Sequence, residues 1–96
     1  MRWLQYSPVS YFTDEDWRLA REAAREALNE AALGKIVSWE NPESGASGSS
    51  TPLKALEKDG MLCRYLKIFN SANDTSGESI QFFCQQKDGT WKAAPR

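Results

Sequence analysis

Two Asp-Gly dipeptides, at 59–60 and 88–89, bracket the stretch that most constrains how this chain can fold. Between them, MLCRYLKIFN and ESIQFFCQQ are β-type runs separated by a polar segment, residues 70–77. Asp-Gly between such runs marks a tight hairpin, because both central residues of a type I′ turn need positive φ. A two-residue turn at Asp59-Gly60 sets Lys58 against Met61 and Leu53 against Leu66. The same turn at Asp88-Gly89 sets Lys87 against Thr90 and Gln86 against Trp91. A symmetric turn near Asn73-Asp74 sets Cys63 against Cys84, Tyr65 against Phe82 and Lys67 against Ile80. The back half therefore reads as an antiparallel meander.

Side chains alternate across a sheet, so this register points both sulfurs to one face. Directly opposite residues have Cβ atoms within about 5.5 Å, which is disulfide reach. Such a bond would close a loop of about 20 residues and contribute roughly 3 kcal/mol. The other reading is a pair of reduced, half-buried thiols packing as small hydrophobes. A metal site is disfavoured, because the chain has two cysteines and no histidine. The spacing is not Cys-x-x-Cys, so the pair does not read as a redox motif.

Upstream, Thr13 is a helix N-cap followed by Asp14, Glu15 and Asp16 at the positive end of the macrodipole. Phe12 and Trp17 form the hydrophobic-staple pair, while Asp16 stands where a capping box prefers Glu. Trp17, Ala20, Ala24, Ala27, Leu28 and Ala31 share one face, and Gly34 suits a C-terminal cap, so the helix is predicted over 14–32. The opposite, charged face reads as solvated. Residues 35–39 read as the first strand, 40–50 as a Gly/Ser loop and 51–58 as the second strand. Pro52, lacking an N–H, belongs at a strand end, a bulge or an outward edge. Residues 1–12, with Trp3, Tyr6, Tyr11 and Phe12, form an aromatic lead-in, and residues 13–96 a single domain.

Several function classes lose ground on composition. Lys plus Arg is 12 against 13 Asp plus Glu, so no basic excess is available to hold nucleic acid. No apolar run approaches the roughly 20 residues of a membrane span, and MRWLQYSPVS lacks a signal peptide's apolar core. The Gly/Ser stretch lacks the ending of a phosphate-binding loop, and a serine nucleophile at Ser49 or Ser50 has no histidine to activate it.

The order Val37-Ser38-Trp39-Glu40-Asn41-Pro42, Gly48-Ser49-Ser50-Thr51-Pro52, Cys63-Arg64, Cys84 and Asp88-Gly89-Thr90-Trp91 resembles the C-terminal domain of bacterial surface antigens. These are outer-membrane lipoproteins of the rickettsial seventeen-kilodalton common-antigen type, and the similarity spans about residues 28–92. Members usually carry a lipidated N-terminus and a glycine-rich, membrane-associated segment, neither of which is in this sequence. The resemblance implies an exported, periplasmic or outer-membrane-associated domain with no known catalysis, and it favours the disulfide.

The expected architecture is α+β: one N-terminal helix packed on a four- or five-stranded antiparallel meander sheet. Leu53, Leu62, Leu66, Ile68 and Phe83 are expected to face the helix, with Leu56, Cys63, Tyr65, Phe82 and Cys84 behind. That second face is too apolar for plain surface, so the lead-in or a partner is expected to cover it. The expected function is a non-enzymatic cell-envelope module, structural or protein-binding, through the Tyr65/Phe82 face or the 40–50 loop. The alternative is a peptidoglycan-binding module in which Trp39, Tyr65 or Trp91 stacks on sugars. A hydrolase using the Ser-rich loop with Glu40 or Glu43 is the third reading. No cofactor, metal or nucleic acid is expected; the implied partners are an envelope protein or peptidoglycan, and the chain a monomer or weak dimer.

Overall fold

The structure, a computed structural model, describes residues 8–95. Trp3 and Tyr6 of the aromatic lead-in lie outside the described residues. A 3₁₀ turn, Pro8–Tyr11, leads into helix α1 (Asp14–Asn29), and five strands follow: β1 (Val37–Asn41), β2 (Ala46–Lys58), β3 (Met61–Ala72), β4 (Thr75–Gln85) and β5 (Trp91–Ala93). The strands pair in sequence order, each antiparallel to the next, so the predicted α+β meander is present with five strands.

Helix α1 starts as the local chemistry dictates. The Asp16 amide donates to Thr13 Oγ1 at 3.1 Å, and the Thr13 amide donates to Asp16 Oδ2 at 2.9 Å, a complete capping box despite the shorter acid. Phe12 meets Trp17 edge-on at 5.2 Å between ring centroids, completing the staple. Arg18 pairs with Glu15 and Glu22 on the outer surface. The helix ends at Asn29 with Glu30 as its cap, three residues short of the sequence prediction. Gly34 does adopt positive φ, but its amide donates to Pro52 O at 2.7 Å, so it serves the entry to β1 and not the helix cap. The helix C-terminus is closed from the sheet instead. Arg64 Nη1 donates to Ala27 O and Ala31 O, each at 2.8 Å.

Two hairpins turn as predicted. Asp59 and Gly60, and Asn73 and Asp74, all have positive φ, and Cys63 faces Cys84, Tyr65 faces Phe82 and Lys67 faces Ile80. The third does not. Here only Gly89 has positive φ, the Gly89 amide donates to Gln86 O, and the Gln86 amide donates to Thr90 O. This is a three-residue loop with a glycine bulge, held by Asp88 Oδ1 accepting from the Thr90 amide and hydroxyl. The register moves by one residue, Gln85 faces Trp91, and the indole turns to the helix side.

Of the predicted 40–50 loop only residues 42–45 form a turn; 40–41 end β1 and the Gly/Ser-rich residues 46–50 open β2. Residues 46–50 pair with β1, and 47–50 pair with β3 as well. Ala46, Gly48, Ser50 and Pro52 are buried at alternate positions. A bulge then intervenes: Pro52 faces Leu66, Lys54 faces Tyr65, and Leu53 is the extra residue. The extra residue exchanges the two faces of β2. Positions 46–52 present their even-numbered side chains to the helix, whereas Leu56 lies on the opposite face against the cysteines.

The helix-side core gathers Ala23, Ala27, Leu28, Val37, Trp39 and Leu66, with Ile68 and Phe83 against it. Leu53 and Leu62, expected in this core, are 42% and 61% exposed, the first because it is the bulge residue, the second because it lies past the end of the helix. Trp17 is also turned outward, 40% exposed. On the other face Cys63, Phe82 and Cys84 are buried, with Leu56, Met61, Tyr65 and Ala94 around them. The C-terminal segment supplies part of that cover. The Ala94 amide donates to Phe82 O, and Lys58 Nζ donates to Pro95 O at 3.1 Å while lying 5.8 Å from the Phe82 ring centroid. The described part of the lead-in lies on the helix side, where Pro8 stands against Gly77.

Candidate functional site

Helix α1 packs chiefly over β1 and β2 and the 3₁₀ turn lies on β3 and β4 near Gly77, so between them part of the β3–β5 half of the same sheet face is left as an open groove. The alanine-rich stripe sets this geometry, since small side chains bring the helix flank close to the sheet without filling the space beside it. The result is a cleft of about 530 Å³, within the range of roughly 300–1,000 Å³ typical of small-molecule sites. Ala20, Ala24 and Leu28 form the helix wall, and Ile68 and Phe83 the sheet wall. Trp17 stands towards the helix start and Trp91 towards its end, where the Trp91 Nε1–H donates to Asn29 Oδ1 at 2.8 Å. Arg21 and Arg25 lie along the rim, both exposed.

The sequence candidates divide between the two faces. Trp39 is 9% exposed, meets Phe12 edge-on at 5.3 Å, and belongs to the core beneath the cleft. Trp91 reaches the cleft because of its shifted register. Tyr65 and Phe82 pair on the opposite face with ring centroids 4.6 Å apart. There Cys63 and Cys84 form a disulfide with an S–S distance of 2.07 Å. Their Cα atoms are 4.0 Å apart, on the side of the closer, non-hydrogen-bonded type of antiparallel pair.

Sequence reasoning missed a buried carboxylate. Asp16 is fully buried, and its Oδ1 accepts from Asn41 Nδ2 at 2.8 Å and from the Ser44 hydroxyl at 2.7 Å. Burial would raise its pKa, but hydrogen bonds from Thr13, Ser44 and Asn41 outweigh that and hold it below the usual carboxylate range. A serine beside an aspartate invites a nucleophile reading. This carboxylate, however, is hydrogen-bonded on both oxygens and weakly basic, the opposite of a general base. The arrangement ties the helix start to the β1–β2 turn, where Glu43 N and Gly45 N donate to Asn41. Its signal was the pairing of an N3 acid with an Asn-Pro-x-Ser turn. Among the described residues no cluster of acidic, cysteine or histidine side chains could hold a metal ion, and no helix is long and apolar enough to cross a membrane.

A family profile described as "17 kDa outer membrane surface antigen" matches residues 26–92. The chain belongs to this family. A 17 kDa surface antigen of Rickettsia bellii (strain RML369-C) is 31% identical over 80 residues, which cover 82% of this chain and 50% of that protein. The same-named proteins of Rickettsia rickettsii and Rickettsia prowazekii are 31% and 32% identical over the same shares. The chain thus spans about half the length of the curated relatives it matches. No solved structure matches it significantly. Membership supports a surface-antigen-like role and points to an outer-membrane or surface location. The matched region covers the end of α1, β1 to β4 and all but the last residue of β5, so the disulfide and the cleft's Ile68, Phe83 and Trp91 belong to the family's portion of the chain.

Proposed function

We propose that this surface-antigen domain is a non-enzymatic binding module of the cell envelope, and that its contact surface is the cleft between α1 and β3–β5. The observation that carries the reading is the open groove beside α1 on the helix-side sheet face, where mostly apolar walls meet the indoles of Trp17 and Trp91. On the opposite face the apolar strip is partly occupied by the chain's own C-terminal segment and by the disulfide. A disulfide persists in oxidising surroundings, which supports a periplasmic or surface-exposed setting. The peptidoglycan reading has one supporting feature, the half-buried Trp91 ring. Asn29, Ser50, Asn70 and Thr90 also border the cleft, but Asn29 is taken up by the Trp91 indole and most of the lining is apolar, so an apolar partner suits it better.

The test is titration with Nile red, an uncharged dye that brightens in apolar sites. The reading expects one saturable site, with Trp17 and Trp91 fluorescence quenched as it fills. Ala24→Trp, which fills the cleft, should abolish binding while leaving the far-UV circular dichroism unchanged. Dye binding that survives Ala24→Trp would place the contact surface elsewhere.

A further inference from the structure

We propose that the cleft takes a long-chain alkyl carboxylate, its chain along the apolar walls and its carboxylate between Arg21 and Arg25. The proposal rests on the cleft reading above and names its ligand. Arg21 and Arg25 are one helical turn apart on the flank of α1, so their guanidiniums can converge on one anion. Neither makes an ion pair or hydrogen bond with any described residue. Arg18, one turn earlier, shows the contrast, since Glu15 and Glu22 occupy it from both sides. No carboxylate lines the cleft itself; Glu22, Glu26 and Glu30 line the neighbouring groove, which Arg25 also borders. A planar guanidinium fork matches a carboxylate with two parallel hydrogen bonds, and apolar surroundings strengthen them.

The wall chemistry selects the body of the ligand. Helix and sheet satisfy their backbone groups internally and present Ala20, Ala24, Leu28, Ile68 and Phe83 to the cleft. An extended peptide laid there would bury more amides than Ser50, Asn70 and Thr90 at the cleft's edge can partner, which is costly. An alkyl chain has no such groups to satisfy.

The test is calorimetric titration of the intact chain with dodecanoate, followed by displacement of Nile red. One site is expected. Decanoate, two methylenes shorter, should bind about tenfold more weakly. The double variant Arg21→Gln/Arg25→Gln should lose about tenfold or more of dodecanoate affinity while keeping its affinity for Nile red. Dodecylamine, with the same chain and the opposite charge, should bind far more weakly than dodecanoate. Equal binding of the amine, or an unchanged double variant, would overturn the proposal. If Nile red binds and dodecanoate cannot displace it, the cleft reading survives and the ligand assignment fails. If Nile red does not bind, both fail. Dodecanoate that binds only once Trp3 and Leu4 are changed to serine would give the cleft to the chain's own first residues. A dimer dissolved by Ala24→Trp would give it to a second copy.

Discussion

Asp16 illustrates how one side chain can join two distant parts of the molecule. It caps its own helix, and it also accepts hydrogen bonds from Asn41 and Ser44, 25 and 28 residues further along. Asp16→Ala removes these contacts together and leaves the buried Asn41 amide unpaired. The expected loss is about 3 kcal/mol in urea denaturation, the sum of a lost cap and a broken buried network. The pH dependence follows from the lowered pKa. A carboxyl whose folded pKa lies below its unfolded value stabilises the fold above the unfolded value, about 3.9 for aspartate. That stability is lost as pH falls through the folded pKa. Asp16→Ala should therefore flatten the acid limb of the stability profile; an unchanged acid limb would mean that another group governs it. The capping role was legible, because it depends on residues three apart. The long-range role was not, because it depends on where the β1–β2 turn lands. Arg64 behaves alike: its parity with Leu66 and Ile68 puts a cation on the helix side, but only the fold reveals the carbonyls of Ala27 and Ala31 above it.

Turn chemistry carried the hairpins at Asp59-Gly60 and Asn73-Asp74, where positive φ at two successive residues leaves one short loop type. At Asp88-Gly89 the same dipeptide accommodates a longer loop with one positive φ, and the difference decided which face Trp91 occupies. Composition misled over residues 46–50. Glycine and serine usually signal a loop, yet here they form the part of β2 over which an indole lies. Gly48 shows why. A Cβ there would stand 2.5 Å from Phe69 O and 2.6 Å from Trp39 Nε1, and the first of these is backbone that cannot swing aside. Gly48→Ala should thus cost roughly 1–3 kcal/mol by overpacking, although alanine favours neither loop nor turn more than glycine does. The measurement is a urea midpoint, with Ser47→Ala on the other face as control and little change expected there. A Gly48→Ala variant as stable as the parent would mean that Trp39 does not lie over this strand.

The molecule divides its stability unequally between the two sides of one sheet. The helix side has a continuous core around Leu66 and Trp39, whereas the other side's core has, among the described residues, three buried members, two of them the bonded cysteines. A face with so little to bury depends more on a covalent link. The chain's size points the same way, since a domain near 100 residues keeps only about 5–15 kcal/mol of net stability. Joining residues 21 apart removes conformational freedom from the unfolded chain and contributes about 3 kcal/mol. The double variant Cys63→Ala/Cys84→Ala should accordingly melt about 15 °C lower than the oxidised parent. Reduction of the parent should produce a comparable drop, because both treatments release the same loop. The cleft lies on the opposite, better-packed side, so at temperatures where the variant remains folded its affinity for Nile red should match the parent's. A variant that stays folded yet loses the dye would show that the two sides are coupled through the sheet, and the division of labour between them would then be wrong.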